Sequence, residues 1–220
     1  MKIGILALQG DVAAHAAMLR DADPTVQVLE VREADDLAGL DGLLIPGGES
    51  TTMSRLCDRY GLWEPLRQHI DEGLGVFGTC AGLIMLSQNL EGATKNFSQS
   101  TLGALDIDVA RNAYGAQLDS FETDVSVPLL NTPGGADTRL RAVFIRAPQI
   151  QRVGEDVEIL AEHNGVPVAV RQGKVFGAAF HPEIAGDARL HGLWLSVLEN
   201  AAGENSAEAP SEVLSSGERA

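Results

Sequence analysis

The segment Gly78-Thr79-Cys80-Ala81-Gly82 restricts the fold of this chain more than any other part of its sequence. An apolar run, Leu74–Phe77, precedes the segment, and a helical pattern from Ala81 to about Gln88 follows it. A cysteine between two glycines at a strand-to-helix turn is typical of a nucleophile elbow, with cysteine in place of serine. Such a turn strains the backbone at the nucleophile, and the flanking glycines remove side chains that would collide. The pattern predicts that Cys80 is a nucleophile; a buried cysteine on a glycine-rich turn is the alternative.

The position of Cys80 at the start of a helix favours its reactive form. The helix dipole stabilises a thiolate there, and the next backbone N–H, that of Ala81, can donate to an oxyanion. The second cysteine, Cys57, lies within a predicted helix that has no flanking glycines. We expect Cys57 to be a small buried residue. Two cysteines without a CxxC motif indicate neither a disulfide framework nor a zinc site.

The hydrophobic pattern of the first half predicts strands that alternate with helices. Short apolar runs at Ile3–Leu8, Val26–Val31 and Gly42–Ile45 precede Leu74–Phe77. This order implies an α/β fold with a mainly parallel central sheet covered on both faces. The second half predicts added antiparallel strands and a closing helix at His191–Asn200. The strand candidates of the second half are Leu105–Ala110, Phe121–Val127, Arg141–Ile145, Val157–Ala161, Val166–Arg171 and Val175–Phe180.

Length and composition limit the domain organisation. The 220 residues suit one α/β domain with a substantial core. From Gly203 onward the chain is rich in Ser, Glu and Ala and has little to bury. We therefore predict one catalytic domain over residues 1–202 and an acidic, disordered tail over residues 203–220.

The net charge excludes two classes of partner. The chain has 31 Asp and Glu against 16 Lys and Arg, a formal net charge of −15. Nucleic acids and anionic membrane surfaces both require a basic surface, so neither is expected as a partner. No apolar run approaches the length of a membrane span, and we expect a cytoplasmic protein without a bound metal. The acidic surface, with few lysines, fits adaptation to a salt-rich cytoplasm and a merely acidic proteome about equally well.

His181-Pro182-Glu183 supplies candidates for a base and for the group that orients it. A thiolate nucleophile needs a base, and the base needs a partner that fixes its tautomer. The motif follows the predicted strand Val175–Phe180, so His181 and Glu183 can face one site. Alone the motif is weak and a surface turn is the alternative, but an elbow cysteine favours the catalytic interpretation. The other histidines lack such a context, and for His15 we expect a packing or interface role.

The glycine pair Gly47-Gly48 lies in the segment Pro46–Thr52, between a predicted strand and a predicted helix. A phosphate-binding loop is one interpretation, because such loops also present N–H groups at a helix N-terminus. The segment has neither the GxxxxGK[ST] pattern nor a nearby lysine. We therefore favour a second oxyanion donor beside Cys80.

Together these segments resemble class I glutamine amidotransferases, and in particular the family of glutaminase subunits of pyridoxal 5′-phosphate (PLP) synthase. The resemblance covers about residues 1–200 and implies a three-layer, flavodoxin-like fold. In chain order, the motifs that carry it are LALQGD (Leu6–Asp11, with His15), PGGESTTM (Pro46–Met53), FGTCAGLI (Phe77–Ile84), RNAYGAQ (Arg111–Gln117), DSFE (Asp119–Glu122), FIRAP (Phe144–Pro148), EHNG (Glu162–Gly165) and FHPE (Phe180–Glu183).

The resemblance implies a glutaminase with a Cys-His-Glu triad and no cofactor. Cys80 would attack the carboxamide of L-glutamine and form a γ-glutamyl thioester, releasing ammonia. His181 would protonate the leaving amine and then activate water, and Glu183 would orient His181. The positions that match the family's oxyanion donors are Gly47, Gly48 and Ala81. Those that match its glutamine-binding residues are Gly48, Glu49, Ser50, Arg111, Ile145 and Arg146, and a guanidinium suits the substrate α-carboxylate.

The implied partner is the synthase component of PLP synthase, which is a (β/α)₈ barrel that uses ribose 5-phosphate, glyceraldehyde 3-phosphate and the ammonia. The resemblance implies up to twelve synthase and twelve glutaminase subunits per complex, with the glutaminase activated by docking. The loop Leu6–Asp11 and the first helix, with Gln9 and His15, are candidate docking elements. Two departures from the family pattern are Ala116, where arginine is frequent, and a long loop at Pro128–Arg139.

Three other functions stay open on the sequence. They are a class I glutaminase that serves another synthase, such as imidazole glycerol phosphate synthase; a free cysteine hydrolase similar to γ-glutamyl hydrolase; and a non-catalytic subunit that keeps the fold. The RNAYG and FIRAP segments disfavour the first. The presence of Cys80, His181 and Glu183 together disfavours the last.

Overall fold

The computed structural model describes residues 1–92, 99–111, 120–130 and 137–207, and within these ranges it contains twelve strands and six α-helices. The strands are β1 (Lys2–Leu6), β2 (Gln27–Val31), β3 (Gly42–Ile45), β4 (Gly75–Thr79), β5 (Ser87–Glu91), β6 (Leu105–Ala110), β7 (Ser120–Ser126), β8 (Arg139–Ile145), β9 (Gln149–Val153), β10 (Glu158–His163), β11 (Val166–Gln172) and β12 (Val175–Ala178). The helices are α1 (Val12–Ala22), α2 (Ser50–Tyr60), α3 (Trp63–Asp71), α4 (Ala81–Leu86), α5 (Pro182–Ala185) and α6 (Arg189–Ala207).

A seven-stranded sheet, in the order β10-β11-β12-β4-β3-β1-β2, forms the centre of the molecule. The five strands from β12 to β2 are parallel, and β11 and β10 join antiparallel through β12. Two smaller sheets, β5-β6-β9 and β7-β8, complete the fold. The predicted α/β class, a mainly parallel sheet with antiparallel strands added in the second half, is confirmed.

The central strands are buried on both faces, as their continuous apolar sequences predict. All four residues of β3 and all five of β4 are buried. Helix α1 packs on β1 and β2 and against α6, whereas α4 packs on β3, β4 and β12. The parallel pairing of β12 with β4 brings Ala178 opposite Thr79, so the residues that follow each strand emerge side by side. This register determines where the candidate functional site lies.

Several predicted boundaries differ from the structure. Helix α4 ends at Leu86 rather than near Gln88, because the hydroxyl of Ser87 donates to the carbonyl oxygen of Ile84 and the chain then continues as β5. The closing helix begins at Arg189 and continues past Asn200 to Ala207. The predicted tail boundary at 202/203 therefore falls inside a helix, and residues 208–220 lie outside the described residues.

Helix α5 was not predicted, although its ends carry standard signals. Pro182 occupies the first helical turn, and Gly186 closes the helix in the left-handed conformation, with φ of 67°. The helix is a single turn, too short for a hydrophobic period to reveal it. Its effect is to bring Glu183 back toward His181, which occupies the N-cap position without a capping hydrogen bond from its side chain.

Candidate functional site

Cys80 lies at the turn between β4 and α4, as the sequence pattern predicts. Its φ of 48° and ψ of −99° are unusual for a residue with a side chain, which is the strain expected of an elbow. A Cβ on Gly78 would lie 2.6 Å from the carbonyl carbon of Gly82. A Cβ on Gly82 would overlap the carbonyl oxygen of Ile45 on the neighbouring strand β3. Both glycines are therefore required by close backbone approach.

His181 and Glu183 lie beside Cys80 at the end of the paired strand. The Nδ1 atom of His181 is 2.6 Å from Oε1 of Glu183, and both residues are buried. The backbone N–H of His181 donates to the carbonyl oxygen of Val143 at 2.9 Å, which fixes the start of α5. Burial lowers the pKa of His181, but its hydrogen bonds to Cys80 and Glu183 outweigh burial and raise the pKa to about 10. The three predicted triad residues therefore form one connected group.

A pocket of about 360 Å³ opens next to Cys80 and His181, a volume suited to a small ligand. It brings together all six residues predicted to bind glutamine, and the pocket is lined by Gln9, Gly48, Glu49, Ser50, Cys80, Ala81, Ile84, Arg111, Ile145, Arg146 and His181. Gly47 lies behind this surface: a Cβ there would overlap the His181 ring and lie 3.5 Å from the Cys80 Cβ. The Sγ atom of Cys80 is 4.0 Å from the carbonyl oxygen of Ile145.

The loop that carries Gly47 and Gly48 is held by Gln9 and by the cap of α2. The N–H of Glu49 donates to Oε1 of Gln9 at 2.7 Å, and a Cβ on Gly48 would overlap the same amide group. The Glu49 carboxylate caps α2, accepting from the N–H groups of Thr51 and Thr52 at 3.0 and 2.7 Å. Burial raises the pKa of Glu49, but the hydrogen bonds outweigh burial and hold the pKa at about 2.

Arg111 brings a partly unsatisfied cation to the pocket. Its Nη1 donates to the Thr51 hydroxyl at 3.1 Å, while its Nε and Nη2 atoms are buried and have no partner among the described residues. Burial lowers the pKa of Arg111, and the nearby Glu49 opposes that shift. Buried donors without partners are rare in proteins, so this guanidinium has free capacity for an anionic ligand. Ala116 and the rest of the RNAYGAQ motif beyond Arg111 lie outside the described residues.

His15 takes the packing role, which was one of the two roles expected for it. Its side chain is fully buried, so it cannot form part of a docking surface, and that part of the docking prediction is wrong. Its Nε2 lies 3.4 Å from Oε2 of Glu183, and its Nδ1 lies 3.0 Å from Nε2 of the fully buried His191. The available signal was the position of His15 four residues after the LALQGD motif, but sequence spacing did not connect it to Glu183.

The described residues contain neither a metal-binding cluster of side chains nor a helix that could cross a membrane. In the four described ranges, no group of three or more His, Cys, Asp and Glu side chains could hold a metal ion. The same ranges contain no helix that is long and apolar enough to cross a membrane.

Comparisons with known proteins place the chain in a family. A model of the "SNO glutamine amidotransferase family" matches residues 5–200. A protein of Acidothermus cellulolyticus named "Pyridoxal 5'-phosphate synthase subunit PdxT" is 50% identical over 202 residues, covering 90% of this chain and 93% of that protein. A protein of the same name from Mycolicibacterium vanbaalenii is 48% identical over 198 residues, covering 90% and 97%.

A solved structure described as "Crystal structure of glutamine amidotransferase" has a TM-score of 0.80 and 43% identity, covering 90% of this chain and 98% of that one. The structure of PurLQS from Thermotoga maritima, with a TM-score of 0.64 and 14% identity, covers 91% of this chain and 98% of that one and shares the fold. The predicted enzyme class and the resemblance to PLP synthase glutaminases are confirmed by the family and sequence matches. The chain therefore belongs to the SNO glutamine amidotransferase family.

Proposed function

We propose that this chain is the glutaminase subunit of a PLP synthase, and that Cys80, His181 and Glu183 are its catalytic triad. The observation that carries the proposal is the connected group of Cys80, His181 and Glu183 beside a pocket that contains the unsatisfied Arg111 guanidinium. The reaction hydrolyses L-glutamine to L-glutamate and ammonia.

Acylation begins with a proton already on His181. With a pKa of about 10, His181 is an imidazolium at neutral pH, and in the proposed mechanism Cys80 attacks as its thiolate. The thiolate attacks the carboxamide carbon of glutamine, and the C=O electron pair moves onto oxygen. When the tetrahedral intermediate collapses, the C–N bond breaks and His181 gives its proton to the leaving nitrogen, which departs as ammonia.

Deacylation reuses the same groups. His181, now neutral, takes a proton from water, and the hydroxide attacks the γ-glutamyl thioester. The C–S bond breaks, glutamate leaves, and the thiolate–imidazolium pair is restored. Glu183 accepts from Nδ1–H of His181 at 2.6 Å in both halves, so that Nε2 is the nitrogen that exchanges the proton.

The oxyanion of each intermediate needs hydrogen-bond donors beside Cys80. Ala81 is the first residue of α4, so its N–H has no acceptor within the helix and is free to donate. Gly47 and Gly48 are the second source that we propose, because this loop packs against Cys80 and His181. Gln9 determines the position of the loop by accepting the N–H of Glu49.

The pocket fits glutamine with its amino-acid end away from Cys80. The free Nε and Nη2 donors of Arg111 can bind the α-carboxylate through two parallel hydrogen bonds. Gly48, Glu49 and Ser50 also line the pocket, as do the remaining proposed contacts, Ile145 and Arg146. The Glu49 carboxylate already accepts from two N–H groups of α2, so it also keeps this part of the pocket rigid.

The proposed partner is the (β/α)₈ synthase subunit, which would take up the ammonia and combine it with ribose 5-phosphate and glyceraldehyde 3-phosphate. Relatives that are 48–50% identical are named as subunits of PLP synthase, which supports a partner of this kind. We propose a complex of up to twelve subunits of each type, working in the cytoplasm, where the Cys80 thiol stays reduced. The Leu6–Asp11 loop is the proposed docking element.

Glutamate release from glutamine, measured with and without the cognate synthase subunit, tests the proposal. We expect weak activity for the isolated chain, strong stimulation by the synthase, and none for Cys80→Ala. Cys57→Ala is the matched control: Cys57 is fully buried, and burial raises its pKa to about 12, so its loss leaves activity intact. Equal activity without the synthase would indicate a free hydrolase, and an active Cys80→Ala variant would exclude the mechanism.

A further inference from the structure

Two buried histidines lie directly behind the triad and have no part in the mechanism above. His15 comes from α1 and His191 from α6, and both side chains are fully buried. Their rings are in contact, with Nδ1 of His15 3.0 Å from Nε2 of His191. The His191 ring packs edge-on against the Phe77 ring, with the two ring centroids 5.3 Å apart. Burial lowers the pKa of each histidine, so both are neutral at physiological pH.

The positions of the four ring nitrogens select one arrangement of protons. Nε2 of His15 faces Oε2 of Glu183 at 3.4 Å and the Thr79 hydroxyl at 3.1 Å. A lone pair aimed at a carboxylate would be repelled, so Nε2 of His15 carries the proton. Nδ1 of a neutral His15 then accepts, and Nε2–H of His191 donates to it. Nδ1 of His191 is left as a bare lone pair, which agrees with its having no partner among the described residues.

The alternative arrangement fails at His191, whereas at His15 the Thr79 hydroxyl, 3.1 Å from Nε2, could donate to a lone pair. If Nδ1–H of His15 donated to His191, the Nε2 lone pair of His15 would face the Glu183 carboxylate. His191 would then carry its proton on Nδ1, as a buried donor without a described acceptor. An unsatisfied buried N–H is costly, and this arrangement would have one together with a charge repulsion.

We propose that His15 is a positioning residue for catalysis, which holds the second carboxylate oxygen of Glu183 while His191 fixes the His15 ring. The role rests on the proposed triad. Glu183 contacts His181 through Oε1 at 2.6 Å, whereas its Oε2 is buried without a hydrogen-bond partner among the described residues, and Nε2 of His15 lies 3.4 Å from it. A carboxylate held at one oxygen can rotate, whereas one held at both keeps His181 in line with Cys80. Contacts of this kind are often long in unliganded sites and shorten when substrate binds.

The first test separates positioning from packing by kinetics of the glutaminase with its synthase partner. We expect His15→Leu to lower kcat by about tenfold or more, a loss comparable to that of other orienting partners, with KM changed less than about twofold. His15→Gln keeps an N–H where Nε2 lies and recovers most of kcat. Leu19→Ala is the packing control: Leu19 is fully buried on the same helix, and its truncation lowers the melting temperature while kcat stays near wild type.

The second test needs no variant. Correlation spectra of the imidazole nitrogens in the full-length wild-type chain report which nitrogen carries each proton, and we expect Nε2–H for both His15 and His191. A His15 protonated on Nδ1 would overturn the proposal, as would a His15→Leu variant with wild-type kcat or a His15→Gln variant as impaired as His15→Leu. An active Cys80→Ala variant would instead remove the triad, and the role of His15 with it.

Discussion

In the proposed mechanism, the protonation of His181 limits activity at high pH. Hydrogen bonds with Cys80 and Glu183 overcome the effect of burial and raise its pKa to about 10. The imidazolium form of His181 is therefore fully present at neutral pH, and it is lost as the pH rises through the raised pKa. The pH at which activity falls on the alkaline side therefore reports the pKa of His181, and through it the contacts that raise that pKa.

The Glu183→Gln variant tests this electrostatic role. It removes the negative partner that raises the pKa of His181, so the alkaline limb of kcat/KM should move to lower pH by about one unit or more. We also expect kcat to fall by at least about 10²-fold, because the amide no longer fixes the reactive tautomer. A pH–rate profile of both proteins with the synthase present measures the two effects. An alkaline limb at the same pH in both would contradict the role given to Glu183.

Individual functional residues differ in how far the sequence could identify them. Cys80 and His181 stand in short motifs with a physical meaning, and the predicted residues do meet at one pocket. Gln9 was predicted only as a docking element, and His15 only as a packing or docking residue, because their contacts with Glu49 and Glu183 span 40 or more residues of the chain. Such contacts depend on how α1 sits on the sheet, which no local pattern encodes.

The β4–α4 elbow is the element on which the site depends. Gly82 allows α4 to approach the carbonyl oxygen of Ile45, a backbone atom that cannot move without disturbing β3. Gly82→Ala should therefore lower the free energy of unfolding by about 1–3 kcal/mol, the usual cost of overpacking, and displace Cys80. Urea unfolding and glutaminase assays measure the two effects.

Gly192→Ala is the matched control for the elbow variant. Gly192 lies in α6, and a Cβ there would be 3.7 Å from the Cβ of Ala22, an ordinary contact. In a helix this change should stabilise by about 0.4–1 kcal/mol and leave activity intact. If Gly82→Ala behaved like Gly192→Ala, the close approach at the elbow would not be a requirement.

Strands also differ in whether their own sequence predicts them or whether they depend on long-range pairing. The buried strand β3 matches its apolar run residue for residue, because a strand covered on both faces needs continuous apolar sequence. Strand β9 was not predicted, since its sequence, Gln149–Val153, is largely polar and it becomes a strand by pairing with β6. Strand β5 was likewise not predicted: the helix predicted to about Gln88 covers its first two residues, and β5 too forms by pairing with β6.

The net charge of the whole molecule predicts how its stability depends on salt. Several exposed arginines are already paired, among them Arg152 with Asp106 and Asp108, and Arg141 with Glu122 and Asp124. The excess of 31 acidic over 16 basic residues nevertheless leaves a formal charge of −15, whose self-repulsion destabilises the compact state. Salt screens that repulsion, and the Debye length falls to about 3 Å near 1 M.

We therefore expect the melting temperature to rise between low salt and about 1 M KCl, the range in which screening becomes nearly complete. A thermal melting series in KCl measures the trend, and a parallel series in isosmotic sucrose separates screening from exclusion of the solute from the surface. A melting temperature that stays flat or falls with KCl would exclude adaptation of this surface to a salt-rich environment.

The covalent γ-glutamyl intermediate on Cys80 is central to the proposed function. It is tested most directly by mass spectrometry of the glutaminase–synthase complex, quenched in acid during turnover of saturating glutamine. We expect a mass increase of one γ-glutamyl group on the peptide that contains Cys80, absent from the Cys80→Ala variant and from Cys57. Turnover without an adduct at Cys80, or with the adduct on another residue, would contradict it.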